Sequence, residues 1–255
     1  MTKEEILVSL SVIYQGDWKK IYGALREKVP LDAEEVKKIV ASNPYKFITI
    51  FDEEYPEWLR KIYMPPFVLY YIGDISLIKN IDRSLAVIGT RNPSPFYANK
   101  TYETVYNINK DVIIVSGLAR GIDGIAHKAA LDSGKRTIAI LGSGFDNIYP
   151  PENLELFERI KQQNLVLSEY PYGVGPDTDH FPMRNRLIAG LSKLTFVSQA
   201  ALRSGTSITV RCTLEQGKDV LCFPSEDLGN SACNLIIKEG GILVESSEDI
   251  NQYFE

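Results

Sequence analysis

From residue 84 onward, short apolar runs alternate with stretches whose apolar positions recur every three or four residues. The runs fall at 85–88, 112–115, 137–141, 165–167, 194–197, 220–223 and 242–244. Nearly continuous apolar runs separated by helical segments predict strands buried on both faces, hence an α/β fold with a mostly parallel, doubly wound sheet. The first part of the chain has a different rhythm. Ile6, Leu10, Ile13 and Tyr14 recur at helical spacing, as do Trp18, Ile21, Tyr22 and Leu25. The run from Asp32 to Glu35 resembles a capping box opening a third helix that carries Val36, Ile39 and Val40. Asn43-Pro44 breaks this pattern, and strands are predicted at 47–51 and 67–72, around turn-rich segments at 55–58 and 64–66. The predicted organisation is a small helical unit over 1–45 and a larger α/β domain over 46–255.

Ligands of such sheets bind beyond the carboxyl ends of the strands, where the strand order reverses. The loops that follow the strands therefore carry the functional signal. They read G89-T-R91, S116-G-L-A-R-G121, G142-S-G144, S168-E-Y170 and R203-S-G-T206, rich in Gly, Ser and Arg. Glycine admits close approach to the backbone, and a helix N-terminus offers unpaired N–H groups to an anion. The first turn is not a G-x-G-x-x-G, and no acidic residue stands about 20 positions on, at a second strand end, to take a ribose. A dinucleotide site is not expected.

Composition changes this picture in one respect. The net charge of −5 argues against a polyanionic ligand until it is divided along the chain. Residues 1–80 carry 11 basic and 12 acidic side chains, residues 81–217 carry 15 and 13, and residues 218–255 carry 2 and 8. No Asp or Glu occurs between Asp179 and Glu215, whereas Arg184, Arg186, Lys193, Arg203 and Arg211 do. A basic field is thus set locally in an acidic protein. The scattered Cys212, Cys222 and Cys233 form no C-x-x-C, so neither a disulfide framework nor a structural zinc is expected, and a reducing cytoplasm fits. The apolar stretch at 6–14 follows Glu4 and Glu5 and reads as an amphipathic helix rather than a secretion signal. No apolar run is long enough to span a membrane.

The ordered set V87-I-G-T-R-N92, S116-G-L-A-R-G-I-D-G-I-A-H127, L141-G-S-G144, I148-Y-P-P-E-N153, L167-S-E-Y170, H180-F-P-M-R-N-R-L-I-A-G-L191 and R203-S-G-T-S-I-T209 resembles the DNA-processing protein A (DprA/Smf) family. The resemblance spans residues 50–245. It implies an extended Rossmann-like domain and a non-enzymatic, cytoplasmic protein of bacteria without cofactor. Such a protein binds single-stranded DNA, protects incoming DNA in natural transformation and loads RecA recombinase onto it. The DNA-binding residues it points to are Gly89, Thr90, Arg91, Gly117, Arg120, Gly142, Phe181, Arg184, Asn185, Arg186, Arg203, Ser204, Gly205 and Thr206. The amides of Gly89, Thr90, Gly205 and Thr206 are expected to cap phosphates, and Phe181 or Tyr149 to stack on bases. The chain departs from the family in carrying Pro151 and Glu152 where some relatives place a basic residue, which predicts a less basic arm of the groove. No winged-helix domain is expected after residue 245.

The rival reading is a Rossmann-type nucleotide phosphoribohydrolase, with Asp123 and His127 one helical turn apart as an acid-base pair, or Ser116 and His127 as a nucleophile pair. It lacks the paired-glycine phosphate turn and a second acidic residue. Finally, the resemblance implies a homodimer. Leu235, Ile236 and Ile237 are consecutive and cannot all face inward on one helix, so they are the expected interface.

Overall fold

The computed structural model describes residues 1–255. Nine strands form one sheet: β1 (Lys46–Thr49), β2 (Val68–Gly73), β3 (Ser84–Ile88), β4 (Ile113–Ser116), β5 (Thr137–Leu141), β6 (Leu165–Ser168), β7 (Leu194–Val197), β8 (Val220–Cys222) and β9 (Ile242–Leu243). Their order is β1-β2-β6-β5-β4-β3-β7-β8-β9. From β6 to β9 every pairing is parallel, while β1 pairs β2, and β2 pairs β6, antiparallel. All nine predicted strands are present. Chain order runs outward from β3 through β4, β5 and β6 on one side and through β7, β8 and β9 on the other. The switch point therefore lies between β3 and β7.

Alternation within apolar strands explains the runs seen in the sequence. Leu85 and Val87 of β3 enter one core with Val105, Ile114, Phe196 and Phe223. Ala86 and Ile88 enter the other with Val115, Ile140, Leu187 and Val197. A strand with a core on each face has no polar alternate positions.

The N-terminal helices are Lys3–Ile13, Trp18–Glu27 and Ala33–Ser42. Asp32 caps the third through the amides of Glu34 and Glu35. The reciprocal capping box belongs to the first helix, between Thr2 and Glu5, a local signal that the periodicity reading overlooked. Leu7 and Val8 share a core with Val68, Tyr70, Leu141 and Val166, and the Tyr70 hydroxyl bonds to Ser11. The three helices thus lie on the sheet, with the first seated on the β1-β2 side. No helix is long and apolar enough to cross a membrane.

Candidate nucleic-acid interface

The loops after β3 and β7 meet at the switch point and are tied together. The Thr90 amide donates to the Gln199 carbonyl (2.7 Å), the Ser94 amide to Gln199 Oε1 (3.0 Å), and the Ile122 amide to the Thr90 carbonyl (3.2 Å). Gly121 makes the last contact possible: its φ is +77°, and a side chain there would run into the carbonyls of Thr90 and Arg91. The result is a fixed loop that projects Arg91 from the sheet edge. Arg91 is exposed, forms no ion pair, and holds its guanidinium 5.7 Å from the centre of the Phe181 ring.

A groove of about 550 Å³ runs along this edge, lined by Gly89, Thr90, Arg91, Asp123, Tyr149, Phe181, Arg184, Asn185, Ser204, Gly205 and Thr206 among others. A smaller recess opens beside it between Arg91, Gly117, Arg120, Tyr149, Phe181 and Arg184. The Tyr149 and Phe181 rings lie 5.7 Å apart and form an aromatic wall. Nine of the fourteen expected residues line the groove, and Gly117 and Arg120 line the recess.

Arg184 forms part of the floor, only 4% exposed. Its Nη1 donates to the carbonyls of Gly117 (2.5 Å) and Ile140, and its Nε to Asn185 Oδ1 (3.2 Å). Its Nη2 donates to no protein acceptor, and no carboxylate lies within ion-pair distance. Burial pulls the guanidinium pKa down, with the nearby Asp123 opposing. Asp123 is itself buried and accepts the Gly117 amide (3.1 Å). Burial raises its pKa, against the pull of Arg184 and that amide. The buried guanidinium thus keeps one N–H group that no protein acceptor meets.

The glycines do a different job from the one expected. A Cβ on Gly117 would occupy the space of the Arg184 guanidinium, and one on Gly142 would lie 3.1 Å from the Phe181 ring. A Cβ on Gly89 would sit 2.6 Å from Ile122 Cγ1 and 2.8 Å from the Gln199 carbonyl. These three make room for the protein's own side chains. Gly205 alone of the set has open space around it. The amides of Gly205 and Thr206, at the N-terminus of the helix Thr206–Glu215, donate to no protein acceptor, whereas the Thr90 amide is already engaged with Gln199. Asn185 Nδ2 reaches the Gly205 carbonyl (3.4 Å) and links the two sides of the groove. Ser204 Oγ is buried without a partner. Arg203 is exposed and unpaired on the turn leading into this helix, beyond the lining itself.

Two expected cations are corrected by the geometry. Arg186 is 5% exposed and faces away from the groove, in a bidentate pair with Glu169 (2.5 and 2.6 Å) and a bond to the Met64 carbonyl (2.8 Å). Glu169, read as part of a functional loop, is its counter-ion. Arg120 points along the edge but is paired with Glu152, so one arm of the site is electrically neutral. Asp123 and Gln199 are the residues the sequence reading missed as parts of the site. Asp123 lay in the quoted S116-to-H127 motif, but only as a candidate acid.

The rival catalytic constellations do not assemble. His127 is fully buried, its Nδ1 bonded to Thr137 Oγ1 (2.7 Å) and its Nε2 without a partner. Thr137 Oγ1 donates to the Ile114 carbonyl, so His127 holds its proton on Nδ1. Ser116 Oγ donates to the Val87 carbonyl. No group of His, Cys, Asp or Glu is placed to hold a metal ion. Outside the groove lining, the helix Ala232–Lys238 leaves Leu235 exposed and packs Ile236 and Ile237 partly against the larger core.

Fold and site together define a doubly wound Rossmann-type protein with an arginine-lined, aromatic-walled groove at the topological switch point. Residues 46–255 match the model of the family described as DNA recombination-mediator protein A, and the chain belongs to that family. It is 41% identical over 209 residues to the DNA processing protein DprA of Streptococcus pneumoniae, covering 81% of this chain and 73% of that protein. The X-ray structure of DprA from the same organism superposes with a TM-score of 0.84 at 33% identity, covering 100% of this chain and 99% of that one. A Helicobacter pylori DprA structure, described as giving insight into its single-stranded DNA binding mode, superposes with a TM-score of 0.74 at 29% identity, over 83% of this chain and 96% of that one.

Proposed function

We propose that this protein is a non-enzymatic recombination mediator of the bacterial cytoplasm that holds single-stranded DNA in the switch-point groove, protects it during transformation and passes it to RecA recombinase. The observation that carries this reading is the placement of two arginines without ion-pair partners, the projecting Arg91 and the buried Arg184, beside the Tyr149–Phe181 wall. Binding a single strand without sequence preference calls for cations that follow the phosphates and π-faces on which bases stack. Arg91, Arg184 Nη2 and Arg203 serve as the cations, and the free amides of Gly205 and Thr206 add a helix-terminus contact. The Helicobacter pylori relative, whose described binding mode concerns single-stranded DNA, supports the same ligand class.

Two copies joined through Leu235, Ile236 and Ile237 place two grooves on one assembly. One strand then bridges both and gains effective concentration for the second contact. The non-catalytic reading is supported by the burial of His127 and the engagement of Ser116, which leave no accessible acid-base pair. The test is a salt-titrated binding measurement with single-stranded and duplex DNA of equal length. Preference for the single strand, lost in Arg91→Glu, is the expected result. Equal affinity of a folded Arg91→Glu protein overturns the groove. Release of a base from a nucleoside monophosphate by the wild type overturns the non-enzymatic reading.

A further inference from the structure

A second cavity is larger than the groove. It has a volume of about 670 Å³ and lies across a ridge formed by Pro182 and Ile208, which line both spaces. Trp58 and Tyr63 stand on its wall, 49% and 79% exposed, with Met64 and Met183 beside them. Neither aromatic is on a loose segment. Arg186 bonds to the Met64 carbonyl, anchoring the chain just after Tyr63, and Lys218 Nζ lies 5.5 Å from the Trp58 ring while donating to the Ala189 carbonyl (2.7 Å). Of the cations that line the cavity, Arg211 is paired with Glu215, Lys61 with Glu57 and Arg186 with Glu169, whereas Lys218 has no acidic partner. Gln216 also lines it. Its Nε2 is bound to the Arg186 carbonyl, whereas its Oε1 is buried with no donor.

A pre-set aromatic face, a lysine without an acidic partner and an unmet hydrogen-bond acceptor describe a site for a planar heteroaromatic ring that carries N–H donors and is attached to an anion. We propose that this cavity receives a nucleobase of the same single strand that occupies the groove, the strand crossing the Pro182–Ile208 ridge to stack a base on Trp58. The inference rests on the groove reading and extends its footprint to a second face of the helix His180–Gly190.

The chain has two tryptophans, so Trp18→Phe leaves Trp58 as the sole tryptophan, excited selectively at the red edge where tyrosine does not absorb. Saturation is followed independently by the anisotropy of an end-labelled oligothymidylate. The expected result is loss of Trp58 emission as the strand saturates. In the wild-type background, Trp58→Ala should weaken binding about tenfold, the scale of one lost base–aromatic stack, with the salt dependence unchanged. Should Trp18→Phe fail to fold, the same emission change is sought in the wild type and its absence in Trp58→Ala. Saturable binding with unaltered Trp58 emission, together with wild-type affinity of Trp58→Ala, overturns the proposal and assigns the cavity to a different ligand, such as a protein segment. Absence of saturable binding, or indifference to Arg91→Ala, instead strikes the groove itself, so the two failures are distinguishable.

Discussion

Arg91, Arg120 and Glu152 make the electrostatics of the groove measurable one charge at a time. Arg91, Arg184 and Arg203 lack ion-pair partners, whereas Arg120 is held by Glu152. With about three phosphates neutralised, affinity should fall with a log–log salt slope of roughly −2.1, about 18-fold between 50 and 200 mM salt. Arg91→Ala removes one contact, so the slope should flatten to about −1.4 and the loss over the same range to about sevenfold. Arg120→Ala should leave the slope where it was, because a guanidinium held by Glu152 neutralises no phosphate, while the carboxylate it uncovers lowers affinity at every salt concentration. Glu152→Gln frees Arg120 and should steepen the slope to roughly −2.8, about 50-fold over the range. Anisotropy of a labelled oligothymidylate across that salt range reads all four proteins. A slope that is equal in the wild type and Arg91→Ala, or flattened as much by Arg120→Ala as by Arg91→Ala, would refute the assignment of charges to the groove.

Gly117→Ala puts a methyl group where the Arg184 guanidinium lies. Two carbonyl bonds of a charged donor are lost, so urea melts should show destabilisation of about 3 kcal/mol or more, with weaker DNA binding; wild-type values for both would contradict the packing. Glu169→Gln strands Arg186 without its counter-ion and should cost about 3–5 kcal/mol in the same melt while leaving the salt slope untouched. His127 has its pKa pushed down to about 3, by burial first and by the nearby Arg184 second. Below the ordinary value of 6.5 the unfolded chain therefore takes up a proton that the folded chain refuses. Stability from this group is full above about pH 6.5 and falls with decreasing pH, by about 2 kcal/mol between pH 7 and 5. The pH dependence of the urea midpoint should shrink by that amount in His127→Leu, and an unchanged dependence counts against the assignment. Sedimentation should give the wild type twice 28.7 kDa and Ile237→Glu the single mass, whereas a monomeric wild type at micromolar concentration removes the interface.

The alternation of short apolar runs with helical stretches already determined the seven strands from residue 84 onward. Each strand residue contributes to burial through its own side chain, whichever face it meets, so the composition of a run records that both faces are covered. The position of the groove was legible for a related reason: in a parallel sheet the loops after the strands share one edge, and the Gly, Ser and Arg of those loops mark it. The roles of individual residues were not legible. Arg184 and Arg186 stand two positions apart on one helix, which points them to nearly opposite sides. The first meets backbone carbonyls under the groove and the second meets Glu169, a partner 17 residues earlier in the chain. In the sequence they are the same signal. Arg120 likewise reads as a free cation until the fold brings Glu152 against it from 32 residues away. The glycines kept their places but changed their meaning, since only packing reveals that Gly117 and Gly142 yield space to Arg184 and Phe181 rather than to a ligand. Residue type and period are local and survive in the one-dimensional string; charge pairing and the occupant of an empty Cβ position are set by contacts between distant segments, and the tertiary structure alone decided them.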